Sequence, residues 1–392
     1  MLTANPFQSP VYVMAKPVGA RCNLDCAYCY YTEKTALAHG VHEMSDETLT
    51  RFIREYIALQ PATAPVQFTW HGGEPLLRGM DFYRKAISLQ QEYAEGRTIE
   101  NCMQTNGTLL TPAWCQFLHE HHFLVGLSID GPEWLHDRYR TTRGGRPSWK
   151  QVMQGIELLN RYEVDWNAMA VVTRDTARSP RPFYRFFREI GCRYLQFTPV
   201  VERWSEHPDG RKLADPTEGV SAMLTPWSVR PMEWGDFLCA VFDEWKSRDV
   251  GEIFVQIFES TLAGHAGVMP GVCSLAPTCG HAAVIEASGD VYSCDHFVFP
   301  RYRLGNINDS DVSLADMLRG ERQIDFGLQK ARGITAACRR CQWLPLCHGE
   351  CPRNRFARSA DGESGHNYLC AGYKKYFSHT APFFRDYRDR YL

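Results

Sequence analysis

The stretch VYVMAKPVGARCNLDCAYC, residues 11–29, joins a predicted β-strand to a loop that carries three cysteines. The strand covers residues 11–18, and Cys22, Cys26 and Cys29 follow it closely. A structural zinc ion or an ordinary iron–sulfur cluster takes four protein ligands. Three cysteines therefore indicate a [4Fe–4S] cluster whose fourth iron is open to a substrate or cosubstrate. A structural zinc site completed by a distant His or Cys is the alternative.

Short β-branched or aromatic runs alternate with helical patterns over the first 200 residues. The six strand-like runs cover residues 11–18, 66–70, 98–105, 123–129, 166–173 and 194–200. Such alternation predicts a parallel sheet, and six repeats rather than eight predict an α/β fold of the partial (β/α)6 TIM-like barrel type. Functional residues in such folds gather at the carboxyl ends of the strands, where CNLDCAYC, HGGEP, TNGT and SIDGP lie.

The chain is predicted to divide into three parts. Residues 1–231 form the partial barrel, ending in a polar connecting loop over 201–231, and residues 232–269 form a linking helix region. Residues 270–392 are rich in cysteine and poor in continuous apolar pattern. This last region is expected to need metal clusters for its stability, and it ends in a closing helix.

Composition limits the classes of function. The 392 residues are 44% hydrophobic and 22% charged, with a net charge of −2, so nothing favours binding to nucleic acid or to an anionic membrane. No apolar stretch reaches the ~18 residues that would cross a bilayer, and residues 1–20 lack the pattern of a signal peptide. We expect a cytoplasmic protein whose fifteen cysteines do not form disulfides. Eleven of them fall in clusters that indicate ligation, and the other four are expected to be buried small hydrophobes: Cys102, Cys115, Cys192 and Cys239.

Eight further cysteines occur in the carboxyl-terminal third. They are Cys273, Cys279, Cys294, Cys338, Cys341, Cys347, Cys351 and Cys370. Eight thiolates suffice for two complete four-ligand sites, which could be iron–sulfur clusters or structural zinc. Their spacing alone does not divide them into two sets.

The pattern C-x3-C-x-aromatic-C at the end of the first strand resembles the signature of the radical S-adenosylmethionine (SAM) enzymes. That resemblance implies that SAM occupies the open iron. It places SAM contacts at Tyr28, Gly72, Gly73, Glu74, Ser128, Asp130, Arg140 and Leu195. Glu74 would accept hydrogen bonds from the SAM ammonium, and Arg140 would pair with its carboxylate unless it is a solvated surface charge.

The carboxyl-terminal spacing resembles the SPASM extension of peptide-modifying radical SAM enzymes. The resemblance implies two auxiliary [4Fe–4S] clusters with interlaced ligands. One set would be Cys273, Cys279, Cys294 and Cys351, and the other Cys338, Cys341, Cys347 and Cys370. With the cluster of the first loop, the cofactors would be SAM and three [4Fe–4S] clusters.

Over residues 10–380 the chain looks most like the anaerobic sulfatase-maturating enzymes. The stretches that carry this resemblance include GGEPLLRGMDFYRKA, QTNGTLL, FLVGLSIDGP and GDVYSCDHFVFPRYRLGNI. These enzymes oxidise a Cys or Ser of a sulfatase to Cα-formylglycine, after a 5′-deoxyadenosyl radical takes a hydrogen atom from Cβ. A flavodoxin or ferredoxin would be the electron donor.

The same resemblance assigns roles near the substrate. Asp295 would be the base that takes the side-chain proton, although a solvated turn carboxylate is the simpler interpretation of its sequence context. Tyr31, His71 and Gln104 would contact the substrate. The family commonly has Gln at position 71, whereas His is frequent in maturases of other ribosomal peptides. A maturase that forms a thioether, ether or carbon–carbon link is therefore the alternative function.

Overall fold

The computed structural model describes residues 10–34, 40–207, 210–215 and 222–392. The strands are β1 Tyr12–Ala15, β2 Val66–Trp70, β3 Ile99–Thr105, β4 Phe123–Ser128, β5 Trp166–Val172, β6 Tyr194–Pro199, β7 Arg203–His207, β8 Gly210–Leu213, β9 Met223–Leu224, β10 Phe254–Val255, β11 Ala282–Ile285, β12 Asp290–Tyr292, β13 Arg303–Asn306, β14 Ala357–Arg358 and β15 Ser364–His366. All six strands predicted in the first 200 residues are confirmed.

The helices also follow the predicted order. They are α1 Asp46–Leu59, α2 Met80–Tyr93, α3 Pro112–Glu120, α4 Glu133–His136, α5 Trp149–Arg161, α6 Arg174–Ala177, α7 Pro180–Glu189, α8 Pro231–Arg248, α9 Gln256–His265, α10 Leu314–Arg319, α11 Glu321–Arg332, α12 Ala336–Arg339, α13 Leu344–Cys347 and α14 Cys370–Tyr391. Helix α1 begins where Ser45 Oγ accepts a hydrogen bond from the Thr48 amide, 3.1 Å away. Within the described residues, none of these helices combines the length and the hydropathy needed to cross a membrane.

Contacts group the chain into two compact units. The first unit comprises residues 1–128, 140–166 and 280–328, and the second comprises residues 129–139, 167–279 and 329–392. These units are defined by internal packing and do not test the predicted boundaries at residues 231 and 270.

The first unit is built on a sheet with the strand order β4-β3-β2-β1-β11-β12-β13. Strands β1 to β4 are parallel, and β11 pairs parallel with β1 in the register Ala15↔Ile285. Buried aromatic side chains fill the core beside β2, where Phe68 packs on Trp70 with 6.0 Å between ring centroids. Strand β11 thus covers the edge of β1 that would otherwise be exposed.

The second unit contains the parallel strands β5, β6 and β10 and the long helices α8 and α14. Helix α14 packs against α8 at two glycines: a Cβ added to Gly372 would lie 2.1 Å from the Pro231 carbonyl oxygen, and one added to Gly235 would lie 2.8 Å from Gly372 Cα. Because the backbones approach so closely, neither position has room for a side chain.

The connecting loop predicted over residues 201–231 is wrong in part. This segment contains β7, β8 and β9, which form an antiparallel sheet with the order β8-β7-β9. Trp204 of β7 packs edge-on against Trp227, with 5.4 Å between ring centroids. The charged residues of this segment interrupt the alternating apolar pattern by which a strand is recognised, so the sequence did not indicate these strands.

Candidate active site and iron–sulfur sites

The three-cysteine loop follows β1 in the first unit. The Cys29 amide donates to the Cys26 carbonyl oxygen, 2.9 Å away, which closes a turn between two predicted ligands. Cys22 Sγ accepts from the Leu24 amide at 3.4 Å and from Asn106 Nδ2 at 3.7 Å. Hydrogen bonds to sulfur stabilise a ligating thiolate and tune the cluster that it holds.

The donor set of this loop suits an iron–sulfur cluster. Burial raises the pKa of the Cys22 thiol to about 11, so the thiolate requires a strongly positive partner such as iron. Among the described residues, no three His, Cys, Asp or Glu side chains lie close enough together to hold a single metal ion. A [4Fe–4S] cluster binds each thiolate through a different iron, so it accepts a wider spacing than one zinc ion does. Three cysteines with no fourth in the loop fit a [4Fe–4S] cluster that keeps one iron open.

The HGGEP loop packs directly on the backbone that leads into the cysteine loop. The His71 amide donates to the Ala15 carbonyl oxygen at 2.8 Å, and the Gly73 amide donates to the Gly19 carbonyl oxygen at 2.8 Å. A Cβ added to Gly73 would lie 2.1 Å from the Arg21 carbonyl oxygen, which is impossible without moving backbone. Glycine is therefore required at position 73 by this close approach.

We expect Gly73→Ala to lower the free energy of unfolding by about 1–3 kcal/mol and to slow SAM cleavage, because the new methyl group forces the two loops apart. Denaturant titration and 5′-deoxyadenosine formation would measure the two effects. Gly144→Ala is the matched control, since its Cβ would meet its nearest atom, Thr142 Oγ1, at an ordinary 3.9 Å. Equal stability and activity in both variants would contradict the close approach of Gly73 to the Arg21 carbonyl oxygen.

Glu74 connects the HGGEP loop to the TNGT loop. It is fully buried and accepts hydrogen bonds from Thr105 Oγ1 at 2.7 Å, from the Asn106 amide at 2.8 Å and from the Leu76 amide at 3.1 Å. Burial raises the pKa of its carboxyl group to about 7. Glu74 thus orders the loops around the cysteines, and its contact with the SAM ammonium stays a prediction.

Other residues predicted to contact SAM are distributed over both units. Arg140 is buried, so the alternative of a solvated surface charge is wrong, and its Nη1 donates to the Tyr28 hydroxyl at 2.9 Å. In the same unit, Gln104 Nε2 donates to Ser128 Oγ at 3.0 Å.

Asp130 and Leu195 belong to the second unit. Asp130 Oδ1 accepts from the Val171 amide at 3.0 Å, and Leu195 lies buried in β6.

The predicted base, Asp295, lies against a lysine that the sequence interpretation missed. Lys16 Nζ donates to Asp295 Oδ1, and the Tyr30 hydroxyl donates to Asp295 Oδ2. Asp295 is only 16% exposed, so the alternative of a solvated turn carboxylate is wrong. Burial alone would raise the pKa of Asp295, but the adjacent Lys16 ammonium, which also donates a hydrogen bond to the carboxylate, outweighs burial and holds the pKa well below its usual range.

The predicted substrate residues Tyr31 and His71 adjoin the same lysine. Lys16 Nζ lies 3.8 Å from the centroid of the Tyr31 ring and 3.4 Å from His71 Nδ1. The Tyr31 hydroxyl donates to Glu286, another residue absent from the prediction. Lys16 had one sequence signal, since it is a charge within the otherwise apolar run VYVMAKPV.

His71 is a neutral imidazole in this environment. Its Nδ1 accepts from the Gly72 amide at 2.7 Å, which places the ring proton on Nε2. Burial and the charge of Lys16 lower the pKa of His71 to about 4.

The second predicted set of carboxyl-terminal cysteines surrounds one cavity in the second unit. Cys338, Cys341, Cys347 and Cys370 all line it. His366 lines it as well, with Nδ1 3.7 Å from Cys338 Sγ. Four thiols around one cavity fit a four-iron cluster, and burial raises the pKa of Cys347 to about 12.

The first predicted set is divided between the units. Cys273, Cys279 and Cys351 belong to the second unit and Cys294 to the first, so this set stays a prediction. The buried Lys330 holds the Cys273 segment, because its Nζ donates to the carbonyl oxygens of Cys273 at 2.8 Å and of Ser274 at 2.7 Å.

Fold and site together define a radical SAM enzyme with an iron–sulfur extension. The Radical SAM superfamily model matches residues 17–187, and the SPASM iron–sulfur cluster-binding domain matches residues 277–342. The chain is 56% identical to the serine-type anaerobic sulfatase-maturating enzyme of Bacteroides thetaiotaomicron, over 97% of this chain and 92% of that one. It is 37% identical to the serine-type enzyme of Klebsiella pneumoniae, over 98% and 92%. The chain belongs to the anaerobic sulfatase-maturating enzymes.

A solved structure agrees with this assignment. The structure described as native anSMEcpe with bound AdoMet superposes with a TM-score of 0.84 at 30% identity, covering 97% of this chain and all of that one. The predicted fold class, a partial (β/α)6 barrel with a SPASM domain, is confirmed. The protein is a radical SAM enzyme of a family that acts on peptides. It uses SAM and a [4Fe–4S] cluster, with additional clusters in the SPASM domain.

Proposed function

We propose that the protein oxidises a serine or cysteine side chain of a sulfatase polypeptide to Cα-formylglycine. The observation that carries this proposal is the Asp295 carboxylate, held by Lys16 and Tyr30 in the same unit as the three-cysteine loop. Serine is the favoured target, because relatives at 56% and 37% identity are serine-type enzymes, whereas the cysteine-type enzyme of Clostridium perfringens is 31% identical.

The proposed reaction has a simple balance for a serine side chain. Conversion of CH2OH to CHO removes one hydrogen atom, one proton and one electron. SAM and the clusters, when bound, would supply a 5′-deoxyadenosyl radical as the acceptor of the hydrogen atom and a cluster as the acceptor of the electron. Asp295 takes the proton, since an ionised carboxylate fixed by two donors can accept it without reorganisation.

The chain's other residues have supporting roles in this proposal. Cys22, Cys26 and Cys29 hold the catalytic cluster, and Glu74 orders the glycine loop beside it. Tyr31 and His71 adjoin the cation that holds Asp295, which supports their proposed contact with the target side chain. We further propose a flavodoxin or ferredoxin as electron donor and a cytoplasmic location, where a reducing environment keeps thiols available as cluster ligands.

The test is mass spectrometry of peptide products under anaerobic conditions. The reconstituted protein receives SAM, a reductant and sulfatase-motif peptides with Ser or Cys before x-Pro-x-Arg. A hydrazine-reactive aldehyde formed together with 5′-deoxyadenosine is the expected result, with the serine peptide converted faster. Deoxyadenosine without any change in either peptide would overturn the proposal.

His71 supports a second candidate function, maturation of another ribosomal peptide through a thioether, ether or carbon–carbon link. The same mass spectra separate the two functions. A cross-linked peptide loses two hydrogens without gaining a group that reacts with hydrazine. An aldehyde from the sulfatase peptides would instead show that His71 is compatible with formylglycine synthesis.

We expect His71→Gln to make the protein more resistant to acid. The pKa of His71 is lower in the folded protein than the ordinary value near 6.5, so protonation favours unfolding. Its contribution to stability is complete above pH 6.5 and is lost as the pH falls toward 4. Between pH 7 and pH 4.5 the wild-type apoprotein should lose about 2–3 kcal/mol more unfolding free energy than His71→Gln. Denaturant titrations of both proteins at both pH values measure this difference. Equal losses of unfolding free energy in wild type and His71→Gln would contradict a neutral, buried imidazole at position 71.

A further inference from the structure

Lys16 is a completely buried ammonium group, which is rare unless the charge is compensated. The groups that face it come from several segments of the first unit. Asp295 accepts its hydrogen bond, the Tyr31 ring lies beneath it, and His71 Nδ1 lies 3.4 Å away. Glu286 and Asp295 supply the opposing negative charge. Lys16 thus contacts the proposed base and two proposed substrate residues through one atom.

The position of Lys16 is set by backbone pairing rather than by its side chain. It directly follows β1, and its amide donates to the Ile285 carbonyl oxygen of β11 at 2.9 Å. The chain then turns through β12 to Asp295. Parallel pairing of β1 with β11 therefore brings together an ammonium and a carboxylate that are 279 residues apart in sequence.

The Asp295 carboxylate has a separate donor on each oxygen. Lys16 donates to Oδ1, and the Tyr30 hydroxyl donates to Oδ2. The Tyr30 ring packs against the His296 ring, with 4.8 Å between their centroids. A carboxylate with one donor can rotate about its Cβ–Cγ bond, whereas two donors on different segments fix the plane of the group.

We propose that Lys16 is the positioning residue for proton transfer, acting through Asp295 to hold its carboxylate in the orientation that receives the substrate proton. This inference rests on the proposed function. In the step concerned, the O–H or S–H bond of the target residue breaks and its proton goes to Asp295. The hydrogen atom goes to the 5′-deoxyadenosyl radical and the electron goes to the acceptor that the cofactors would supply. Lys16 keeps its own protons throughout.

Lys16→Met tests the inference, because methionine retains the length of the side chain and removes its charge. We expect the rate of SAM cleavage to stay within about 3-fold of wild type and kcat for formylglycine to fall about 100-fold, with KM little changed. With a Cβ-deuterated serine peptide, deuterium should still enter 5′-deoxyadenosine. Loss of SAM cleavage in parallel with product, or unchanged product formation, would overturn the inference.

A double variant separates a role through Asp295 from a general structural role. If Lys16 acts through Asp295, adding Lys16→Met to Asp295→Asn should change the residual rate of product formation by less than about 2-fold. A further loss as large as that of the single variant would overturn the inference. The double variant also removes both charges of the pair, so it can be studied even if Lys16→Met alone fails to fold. Lys16→Arg, which keeps the charge, should restore part of the lost kcat.

Arg303→Met is a control within the same unit. It removes the cation of another ion pair, in which Arg303 Nε lies 2.7 Å from Asp290 Oδ1. We expect this variant to keep the wild-type ratio of formylglycine to 5′-deoxyadenosine, and an equal drop in that ratio would overturn a specific role for Lys16. Absence of aldehyde from the wild-type protein would overturn the proposed function and this inference with it. Aldehyde from wild type and Lys16→Met alike would overturn this inference alone.

Discussion

Cys22→Ala is expected to abolish SAM cleavage. Cys22 is one of three predicted thiolate ligands, and its sulfur accepts two hydrogen bonds that orient it. Without it, only two cysteines of the loop remain, which leaves the cluster without a stable site. Anaerobic assay of 5′-deoxyadenosine measures the loss, and iron analysis should show about four fewer irons per chain because the other clusters are retained.

The control for this prediction is Cys102→Ala. Cys102 lies in β3, outside the three ligand sets, and accepts a hydrogen bond from Gln67 Nε2 at 3.4 Å. Its replacement should leave iron content and SAM cleavage near the wild-type values. SAM cleavage by Cys22→Ala at more than a few per cent of the wild-type rate would contradict the assignment of Cys22 as a ligand.

Asp295→Asn should separate SAM cleavage from product formation. Asparagine has nearly the size of aspartate and can keep a contact with Lys16, but its amide does not accept the substrate proton. We expect formylglycine formation to fall by about 100- to 10,000-fold, the usual contribution of a general base, while SAM cleavage stays within a few-fold of wild type. The ratio of aldehyde to 5′-deoxyadenosine, measured by mass spectrometry, is the quantity to compare.

A second buried aspartate of the same unit provides the control. Asp290 of β12 is buried and bonded to Arg303 and Asn306, so Asp290→Asn also removes a buried charge. It should lower stability without changing the ratio of aldehyde to 5′-deoxyadenosine. Wild-type amounts of aldehyde from Asp295→Asn would exclude Asp295 as the base and leave the proton to another group.

Local sequence was sufficient for the elements and for the cysteine loop. The six strands alternate with helices in a pattern that short windows reveal, and Ser45 and Thr111 mark helix starts by their capping side chains. Residues 201–231 are the counterexample, because the strands there pair with one another and carry charged side chains that hide the period. Pattern analysis finds elements whose apolar residues alternate regularly, and it misses strands whose sequence lacks that alternation.

The sequence by itself determined the cofactor chemistry of this protein. The three cysteines lie within eight residues directly after one strand, and Gly72 and Gly73 directly follow the next strand, so each motif can be recognised in a short stretch of the chain. Only the tertiary structure decided what surrounds Asp295. The contact between Lys16 and Asp295 depends on β1 pairing with β11, and such long-range pairing leaves no local period to detect. A buried charge is recognised as functional only when its partner is known, and here that partner lies 279 residues away.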